Sequence, residues 1–232
     1  MAENRSLPVG CVIMASGLST RFGSNKLLAP FGPAGEPLLC RALDATATPR
    51  LAGRVVVTRS PEVQALCKEK GAACILHALP GRNDTVRLGL EALLAQHPDL
   101  AGCMFLPGDQ PLLQRHSVAS MVGIFGWHAE TCAERGQTPE EISRAIFRLG
   151  HRYKNDPAPL LGSPVLFGRA YFDALRTLPE GKGGSVLFKQ YPACVHVVYI
   201  GDRNELRDAD TPEELRELEA LWKGPWEEDE ED

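Results

Sequence analysis

Short apolar runs alternate along this chain with segments of helical periodicity, and that alternation constrains the fold most strongly. Five runs rich in β-branched and other apolar residues predict buried strands. They span residues 9–14, 54–58, 73–77, 102–106 and 195–200. Four predicted helices occupy residues 38–47, 61–70, 85–96 and a segment that begins at Thr211. Alternating strands and helices with short connections predict an α/β fold whose mostly parallel sheet is covered by helices on both faces.

The ends of the predicted helices carry residues that are typical of helix termini. Pro37 precedes the first helix, and Gly71 follows the second as a C-terminal stop. Thr85 and Thr211 are predicted N-caps. The region 140–153 allows two interpretations, a helix that runs into a strand or a strand at 144–149, and residues 156–159 predict a turn.

The distribution of charge argues against a nucleic-acid-binding protein. The net charge is −5, but it becomes +1 when the six acidic residues 227–232 are left out. A nearly neutral body lacks the basic face that a nucleic-acid binder shows. We therefore predict one domain over residues 1–226 and a disordered acidic tail over 227–232.

Cysteine usage and hydropathy indicate a cytoplasmic protein. The seven cysteines form no CxxC pair, and several lie in apolar runs, which is typical of buried thiols in a reducing compartment. The chain has no apolar run of about 18 residues and no signal-peptide pattern at its start. We expect neither a membrane span nor export.

Three loops are candidates for a ligand site because ligands of such sheets bind beyond the carboxyl ends of the strands. These loops follow Met14, His77 and Leu106. Each begins where a predicted strand ends, so the three are expected to meet at one edge of the sheet.

The loop at residues 14–26 carries the most chemistry. Its glycines free the backbone, its serines offer hydroxyl groups, and its successive N–H groups can form an anion-binding nest. These residues are Gly17, Gly23, Ser16 and Ser19. Arg21 and Lys26 add two cations that can reach phosphates. The spacing matches neither GxxxxGK[ST] nor GxGxxG, and a flexible surface turn is the alternative interpretation.

A second candidate is the turn at residues 106–111, which places Asp109 at the end of the fourth predicted strand. Gly108 and Pro111 shape this turn. A carboxylate there can hold Mg²⁺, a hard cation that prefers oxygen ligands. The alternative is a turn-forming aspartate whose side chain bonds its own backbone.

The order of several motifs resembles a known family. The stretch from Ala15 to Lys26 is similar to the LAAGxSxRFGxxK signature of the MobA-like nucleotidyltransferases, and most similar to the molybdenum cofactor cytidylyltransferase branch. Three further blocks resemble family motifs. They are GDQP at 108–111, GSPVLF at 162–167 and DADTPE at 208–213. The resemblance implies a single Rossmann-like, three-layer domain of the nucleotide-diphospho-sugar transferase type.

The resemblance also implies roles for individual residues. Nucleotide contacts are implied for Ala15, Ser16, Gly17, Leu18 and Ser19, and for the triphosphate ligands Arg21 and Lys26. Base contacts are implied for Gly81, Asn83 and Thr85. Metal contacts are implied for Asp109 and Asp210, with Asp208 as the second choice after Asp210. Acceptor contacts are implied for Gly162, Ser163 and Lys182. Of these residues, Arg21, Lys26 and Asp109 are the expected catalytic groups.

By the same resemblance, the expected reaction is the Mg²⁺-dependent transfer of a nucleoside monophosphate from CTP or GTP to the phosphate of molybdopterin, with release of pyrophosphate. CMP is the expected group, although Ser16 stands where the signature has Ala or Gly and leaves the base open. A molybdenum hydroxylase is the expected client. Two alternatives remain: transfer to another small phosphate such as a sugar phosphate, and a non-catalytic maturation protein that binds a nucleotide or pterin.

Overall fold

A seven-stranded sheet forms the centre of this computed structural model, which describes residues 7–153 and 158–224. The described strands, in chain order, are β1 (Val9–Ala15), β2 (Pro30–Phe31), β3 (Glu36–Pro37), β4 (Gly53–Thr58), β5 (Cys74–Leu76), β6 (Gly102–Pro107), β7 (Ile146–His151), β8 (Leu160–Gly168) and β9 (Val195–Tyr199). The order across the large sheet is β5-β4-β1-β6-β8-β7-β9, and β2 and β3 form a separate hairpin.

Helices cover both faces of this sheet. In chain order they are α1 (Leu39–Ala45), α2 (Pro61–Glu69), α3 (Arg82–Gln96), α4 (Arg115–Glu134), α5 (Pro139–Ile142), α6 (Phe172–Arg176), α7 (Ser185–Gln190) and α8 (Pro212–Leu221). None of the described helices is long and apolar enough to cross a membrane.

Strand β1 lies at the middle of the parallel part of the sheet. It pairs in parallel with β4 on one side and with β6 on the other, and β4 pairs in parallel with β5. Strand β8 is antiparallel to both β6 and β7, while β7 and β9 are parallel. The carboxyl ends of β5, β4, β1 and β6 therefore meet at one edge, as the sequence predicts.

Alternate residues of β1 enter two different cores, as the twofold period of a strand requires. Cys11 and Ile13 pack with Leu39 and Val63 on the face covered by α1, α2 and α4. Val12 packs on the other face with the residues of α3, α6 and α7. Both faces of β1 are buried, which explains why its sequence is continuously apolar.

Helix α3 approaches β1 closely because it carries Gly89 at the crossing point. A Cβ atom at Gly89 would lie 2.5 Å from Cγ1 and 2.7 Å from Cγ2 of Val12. The side chain of Val12 is β-branched and has little rotational freedom. Glycine at position 89 therefore sets the distance between this helix and the sheet.

A small third core fixes the C-terminal helix beside the first loop. Phe31 of the β2–β3 hairpin and Leu38 pack against Ala209, Leu215 and Leu218. The edge of the Phe31 ring faces Trp222, with a centroid distance of 5.8 Å. This packing brings the segment that precedes α8 to the carboxyl edge of the sheet.

All five predicted strands are confirmed, and so are the four predicted helices, but some boundaries were wrong. Helix α3 begins at Arg82, with Gly81 as its N-cap, so Thr85 is a buried residue of the first turn and not an N-cap. Pro37 ends β3, and Leu38 is the N-cap of α1. Both interpretations of residues 140–153 were partly right, because the short helix α5 precedes β7.

The predicted tail at 227–232 and residues 156 and 157 of the predicted turn lie outside the described residues. The seven cysteines are free thiols; five of them are buried, and Cys74 and Cys194 are partly exposed.

Candidate active site

The carboxyl ends of the parallel strands open into a cleft of about 570 Å³. The loop after β1 forms one wall, and the segment before α3 forms the opposite wall. The residues that line it include Ala15, Ser16, Gly17, Leu18, Ser19, Arg21, Lys26, Arg59, Gly81, Arg82, Thr85, Asp109, Ser163, Asp208 and Asp210. The cleft thus brings together most of the residues that the sequence predicts for the site.

The loop after β1 turns sharply before it reaches Lys26. Ser19 adopts a positive φ of 50°, and Gly23 one of 80°. The carbonyl of Ser19 accepts a hydrogen bond from the Phe22 N–H at 2.9 Å, and its hydroxyl accepts one from the Lys26 N–H at 3.3 Å. A Cβ atom at Gly17 would meet no atom within 4 Å, so a ligand can approach the backbone there.

Lys26 lies at the centre of the site, between two carboxylates. Its Nζ atom contacts Asp109 Oδ2 and donates to Asp210 Oδ1 at 2.7 Å, and only 10% of its side chain is exposed. Burial alone would lower the pKa of Lys26. The charges of Asp109 and Asp210, and the hydrogen bonds to them, outweigh burial and raise that pKa, so Lys26 is a cation.

Asp210 binds two cations of the first loop. Arg21 Nη2 donates to Asp210 Oδ2 at 2.5 Å, on the other carboxylate oxygen from Lys26. The hydrogen bond from Lys26 is the main cause that lowers the pKa of Asp210. Glu214 Oε2 accepts from the Asp210 N–H at 2.9 Å, so the first turn of α8 orients this aspartate.

Asp109 and Asp208 lie at the same end of the cleft. The Ala209 N–H donates to the Asp109 carbonyl at 2.9 Å, which ties the segment before α8 to the turn after β6. Asp208 is exposed when the whole residue is considered. Nearby protein atoms still desolvate its carboxyl group, which raises the pKa of that group to about 6, and the negative charge of Asp109 raises it further. Two neighbouring carboxylates form a natural site for a cation.

The predicted base-binding residues divide into two groups. Gly81 and Thr85 line the cleft, and the buried Thr85 Oγ1 has no hydrogen-bond partner among the described residues. Asn83 does not line the cleft. Its Oδ1 accepts from the Gly181 N–H at 2.9 Å, so it supports the loop at residues 181–184.

Only one of the three predicted acceptor residues lines the cleft. Ser163 lines the cleft, but Gly162 faces Leu206, whose Cβ would lie 3.0 Å from a Cβ at position 162. Lys182 is exposed in the neighbouring loop and does not line the cleft. The structure therefore joins Ser163 to the nucleotide site and leaves Gly162 and Lys182 outside it.

Two cations of the cleft were missed from the sequence. Arg59 follows β4 and donates through Nε and Nη2 to the Ser16 carbonyl, at 2.8 and 2.5 Å. Arg82 is the first residue of α3 and lies at the rim. Arg59 follows the last residue of a predicted strand, and this position at the carboxyl edge was the available signal.

A larger cavity, of about 870 Å³, lies elsewhere and is lined by residues of α1, the start of α4 and the end of α8. Its buried Arg41 already pairs with Glu36 at 2.7 Å and with Asp44 at 2.9 Å. The motif residues of the first loop do not line it. The cleft at the sheet edge is therefore the candidate active site.

The cleft has the parts that phosphate chemistry needs. The backbone of the first loop, the cations Arg21 and Lys26 and the carboxylates paired with them line one cleft, so that phosphate oxygens and a divalent metal could be held together there. Arg21 and Lys26 are held in place by Asp210 before any ligand binds. Such preorganised charges are effective in stabilising charge that develops during a reaction.

The fold is shared with several solved structures. Rv0371c from Mycobacterium tuberculosis H37Rv aligns with a TM-score of 0.70 and 21% identity, over 92% of this chain and 98% of that chain. A CMP:2-keto-3-deoxy-manno-octonic acid synthetase complexed with CTP aligns with a TM-score of 0.65 and 16% identity, over 92% and 98%. These likenesses confirm the predicted Rossmann-like α/β fold with its mostly parallel sheet.

Sequence comparison defines the family. The 3-deoxy-manno-octulosonate cytidylyltransferase from Polynucleobacter asymbioticus is 29% identical over 216 residues, which is 89% of this chain and 82% of that protein. The family model of the MobA-like NTP transferase domain matches residues 11–195. The chain therefore belongs to the MobA-like NTP transferase family, and the resemblance inferred from its motifs is confirmed at this level.

Proposed function

We propose that this protein transfers CMP from CTP to the phosphate of molybdopterin, in a Mg²⁺-dependent reaction that releases pyrophosphate and serves the maturation of a molybdenum hydroxylase. The observation that carries this proposal is the position of Lys26 between Asp109 and Asp210, with Arg21 on the second oxygen of Asp210. Cations for a triphosphate and carboxylates for a metal thus occupy one cleft.

The triphosphate would lie along the backbone of residues 15–18. Lys26 and Arg21 would exchange part of their contact with Asp210 for contacts with phosphate oxygens. Arginine can hold two oxygens at once, whereas lysine acts as a point charge. Both cations would stabilise the negative charge that develops on the departing pyrophosphate.

The carboxylates of the cleft have the donor chemistry that Mg²⁺ prefers. Asp109 and Asp210 would hold the ion, with Asp208 as the second choice after Asp210, and a divalent cation would relieve the repulsion between Asp109 and Asp208. Within residues 7–153 and 158–224, no three His, Cys, Asp or Glu side chains are grouped to hold a metal by themselves. Mg²⁺ keeps several waters and takes ligands from substrate phosphates, so one or two carboxylates of the protein would be enough to hold it. When bound, the ion neutralises phosphate charge and orients the triphosphate.

The chemical step is an in-line displacement at the α-phosphorus. An oxygen of the acceptor phosphate forms the new P–O bond while the bond between the α-phosphorus and the bridging oxygen breaks, and the electron pair leaves with pyrophosphate. The acceptor phosphate is already an anion, so the reaction requires no nucleophile from the protein. The protein positions the reactants and stabilises charge.

The base would bind between the first loop and the start of α3. The unpartnered hydroxyl of Thr85 and the backbone at Gly81 border this part of the cleft. The CTP bound to a structural neighbour and the cytidylyltransferase named among the relatives support cytosine as the base.

A sugar substrate is the second candidate acceptor. It is favoured by the relative of 29% identity, which is a 3-deoxy-manno-octulosonate cytidylyltransferase. With a sugar acid, a sugar hydroxyl would form the new bond to the same α-phosphorus as pyrophosphate leaves, and its proton would pass to a carboxylate of the cleft such as Asp208 or to water; the roles of Lys26, Arg21 and Asp109 would be unchanged.

Pyrophosphate release can separate these possibilities. Purified protein would be incubated with Mg²⁺ and each of CTP, GTP, ATP and UTP, together with molybdopterin, a sugar phosphate or a 3-deoxy sugar acid. We expect release with CTP and molybdopterin. Release with only a sugar substrate would assign the second acceptor. Stabilisation by CTP in thermal unfolding, without turnover on any acceptor, would identify a binding protein and contradict the proposed reaction.

A further inference from the structure

Three side chains at the carboxyl ends of β4 and β5 hold the end of β1 and the start of the first loop. Thr58 Oγ1 donates to the Ala15 carbonyl at 3.0 Å. Arg59 donates twice to the Ser16 carbonyl, at 2.8 and 2.5 Å. His77 Nε2 lies 3.0 Å from Ser16 Oγ. We call Thr58, Arg59 and His77 the loop brace.

The direction of the hydrogen bonds in the brace follows from counting protons. The Ser16 hydroxyl has one proton, and it donates to the Val57 carbonyl at 3.0 Å. It must therefore accept from His77, whose Nε2 carries the proton in the neutral ring. His77 Nδ1 then has no proton, and this atom is buried without a hydrogen-bond partner.

This geometry changes the role that Ser16 can have. The hydroxyl of Ser16 donates to the Val57 carbonyl and accepts from His77 Nε2. Its only proton is therefore not free to donate to a base. Through these hydrogen bonds, Ser16 attaches the backbone that borders the cleft to the ends of β4 and β5.

We propose that His77 is a positioning residue of the nucleotide site, which acts through Ser16 and together with Arg59 keeps the loop in the conformation that receives the nucleotide. This inference rests on the proposed nucleotidyltransferase function. It follows that His77 affects the binding of the triphosphate without touching it. The contacts to the phosphates and the metal remain those of Lys26, Arg21 and the carboxylates.

The surroundings of His77 make its contribution dependent on pH. Burial and then the positive charge of Arg59 lower the pKa of His77, with a smaller effect of Arg87 in the same direction and of Asp84 in the opposite direction. A proton on Nδ1 would find no acceptor and would add a charge beside Arg59. Acidification should therefore disrupt the brace and raise the KM for nucleotide.

Two variants of His77 separate positioning from stability. His77→Val removes the donor to Ser16, and we expect it to raise the KM for nucleotide roughly three- to tenfold, as the loss of one hydrogen bond predicts. We expect kcat at saturating nucleotide to change less than about twofold. In His77→Gln the amide can donate to Ser16 without titrating, so its KM at pH 7.5 should be near that of the wild type and should rise less than that of the wild type between pH 7.5 and 5.5.

The coupling to Ser16 is tested by a double-mutant cycle. If His77 acts through the Ser16 hydroxyl, His77→Val should have little further effect on KM in the Ser16→Ala background. The NMR signals of the ¹⁵N-labelled imidazole of His77 should show the Nε2–H tautomer in the wild type, and they should shift in Ser16→Ala.

The outcomes distinguish this inference from the proposed function. Turnover by the wild type with an unchanged KM in His77→Val, or additive effects of His77→Val and Ser16→Ala, would overturn the positioning role and leave the proposed function standing. A rise in KM on acidification that is as large in His77→Gln as in the wild type would also overturn it, since the titration of Asp208 is common to both. A wild type that neither binds nor turns over any nucleotide would overturn both.

Discussion

The parallel half of the sheet, β5-β4-β1-β6, and the mixed half, β8-β7-β9, contribute differently to the cleft. The loops after β1, β4 and β6 supply Lys26, Arg59 and Asp109, and the helix after β5 supplies Thr85. The mixed half supplies Ser163, and the chain beyond it returns to place Asp210 beside Lys26. The parallel half therefore supplies most of the residues of the cleft, and in the proposed reaction these would bind the nucleotide.

Lys26, Asp109 and Asp210 form a charged cluster that joins the two halves. We expect substitutions in this cluster to reduce activity most. Asp109→Asn removes the proposed metal ligand and the charge that pairs with Lys26, while it keeps the shape of the side chain. We expect kcat/KM to fall roughly 10²- to 10³-fold, the magnitude of losing one preorganised charge. Steady-state pyrophosphate release measures this, and retention of most of the activity would contradict the metal assignment.

A smaller effect is expected from Arg21→Lys. The charge is kept, but the two-pronged geometry that reaches both Asp210 and a phosphate is lost. We expect kcat/KM to fall roughly 10- to 10²-fold, since one charge-assisted hydrogen bond contributes about 1.5–3 kcal/mol. Arg216→Lys is the matched control, because Arg216 pairs with Glu213 on the exposed face of α8. Equal losses in both variants would mean that Arg21 has no special role.

The packing of the parallel half can be tested without any substrate. Gly89→Ala places a methyl group against Val12, and we expect it to lower the free energy of unfolding by about 1–3 kcal/mol. Gly126→Ala in α4 is the control. A Cβ there meets no atom within 4 Å, so the better helix propensity should stabilise by up to about 1 kcal/mol. Chemical denaturation measures both, and stabilisation by Gly89→Ala would refute the close approach of α3 to β1.

The mixed half should show the smallest effect, as a dependence of stability on pH. The rings of His128 in α4 and His196 in β9 lie 4.5 Å apart, and Phe147 stacks on His196. Burial is the main cause that lowers the pKa of both histidines. The second cause is Arg135 for His128, and His128 itself for His196.

The lowered pKa values mean that the folded protein binds protons at these histidines less readily than the unfolded chain does. Above the unfolded pKa, near 6.5, both states are neutral at these positions and stability does not depend on pH. Below it the unfolded chain is protonated first, so the free energy of unfolding falls as the pH drops. The Tm of the wild type should therefore decrease between pH 7.5 and 5.5 by roughly 2–4 °C more than that of the double variant His128→Gln/His196→Gln. Equal slopes in thermal unfolding would contradict this.

The sequence predicted the parallel half well because both faces of its strands are buried, so that continuous apolar runs mark them. It did not predict α4 or β8. Strand β8 runs antiparallel between β6 and β7, and this pairing depends on partners distant in the chain. Two site assignments also depended on such contacts. Asn83 supports Gly181, and Gly162 faces Leu206, and neither contact has a local signal.

Within the site, motif order identified Arg21, Lys26 and Asp109, but not their mutual pairing. That Lys26 bridges Asp109 and Asp210 depends on the third core, in which Phe31 and Leu38 pack against α8. The start of α3 was misplaced because Gly81 offers no side chain as a cap. Asp84 instead accepts from the Gly81 N–H at 3.1 Å.

The most direct test of the central claim is a crystal structure with a non-hydrolysable CTP analogue and Mg²⁺. We predict that the phosphates lie on the backbone of residues 15–18, that Lys26 and Arg21 contact phosphate oxygens, and that Asp109 contacts the metal. A nucleotide bound outside this cleft, or phosphates that contact neither Lys26 nor Arg21, would contradict the account.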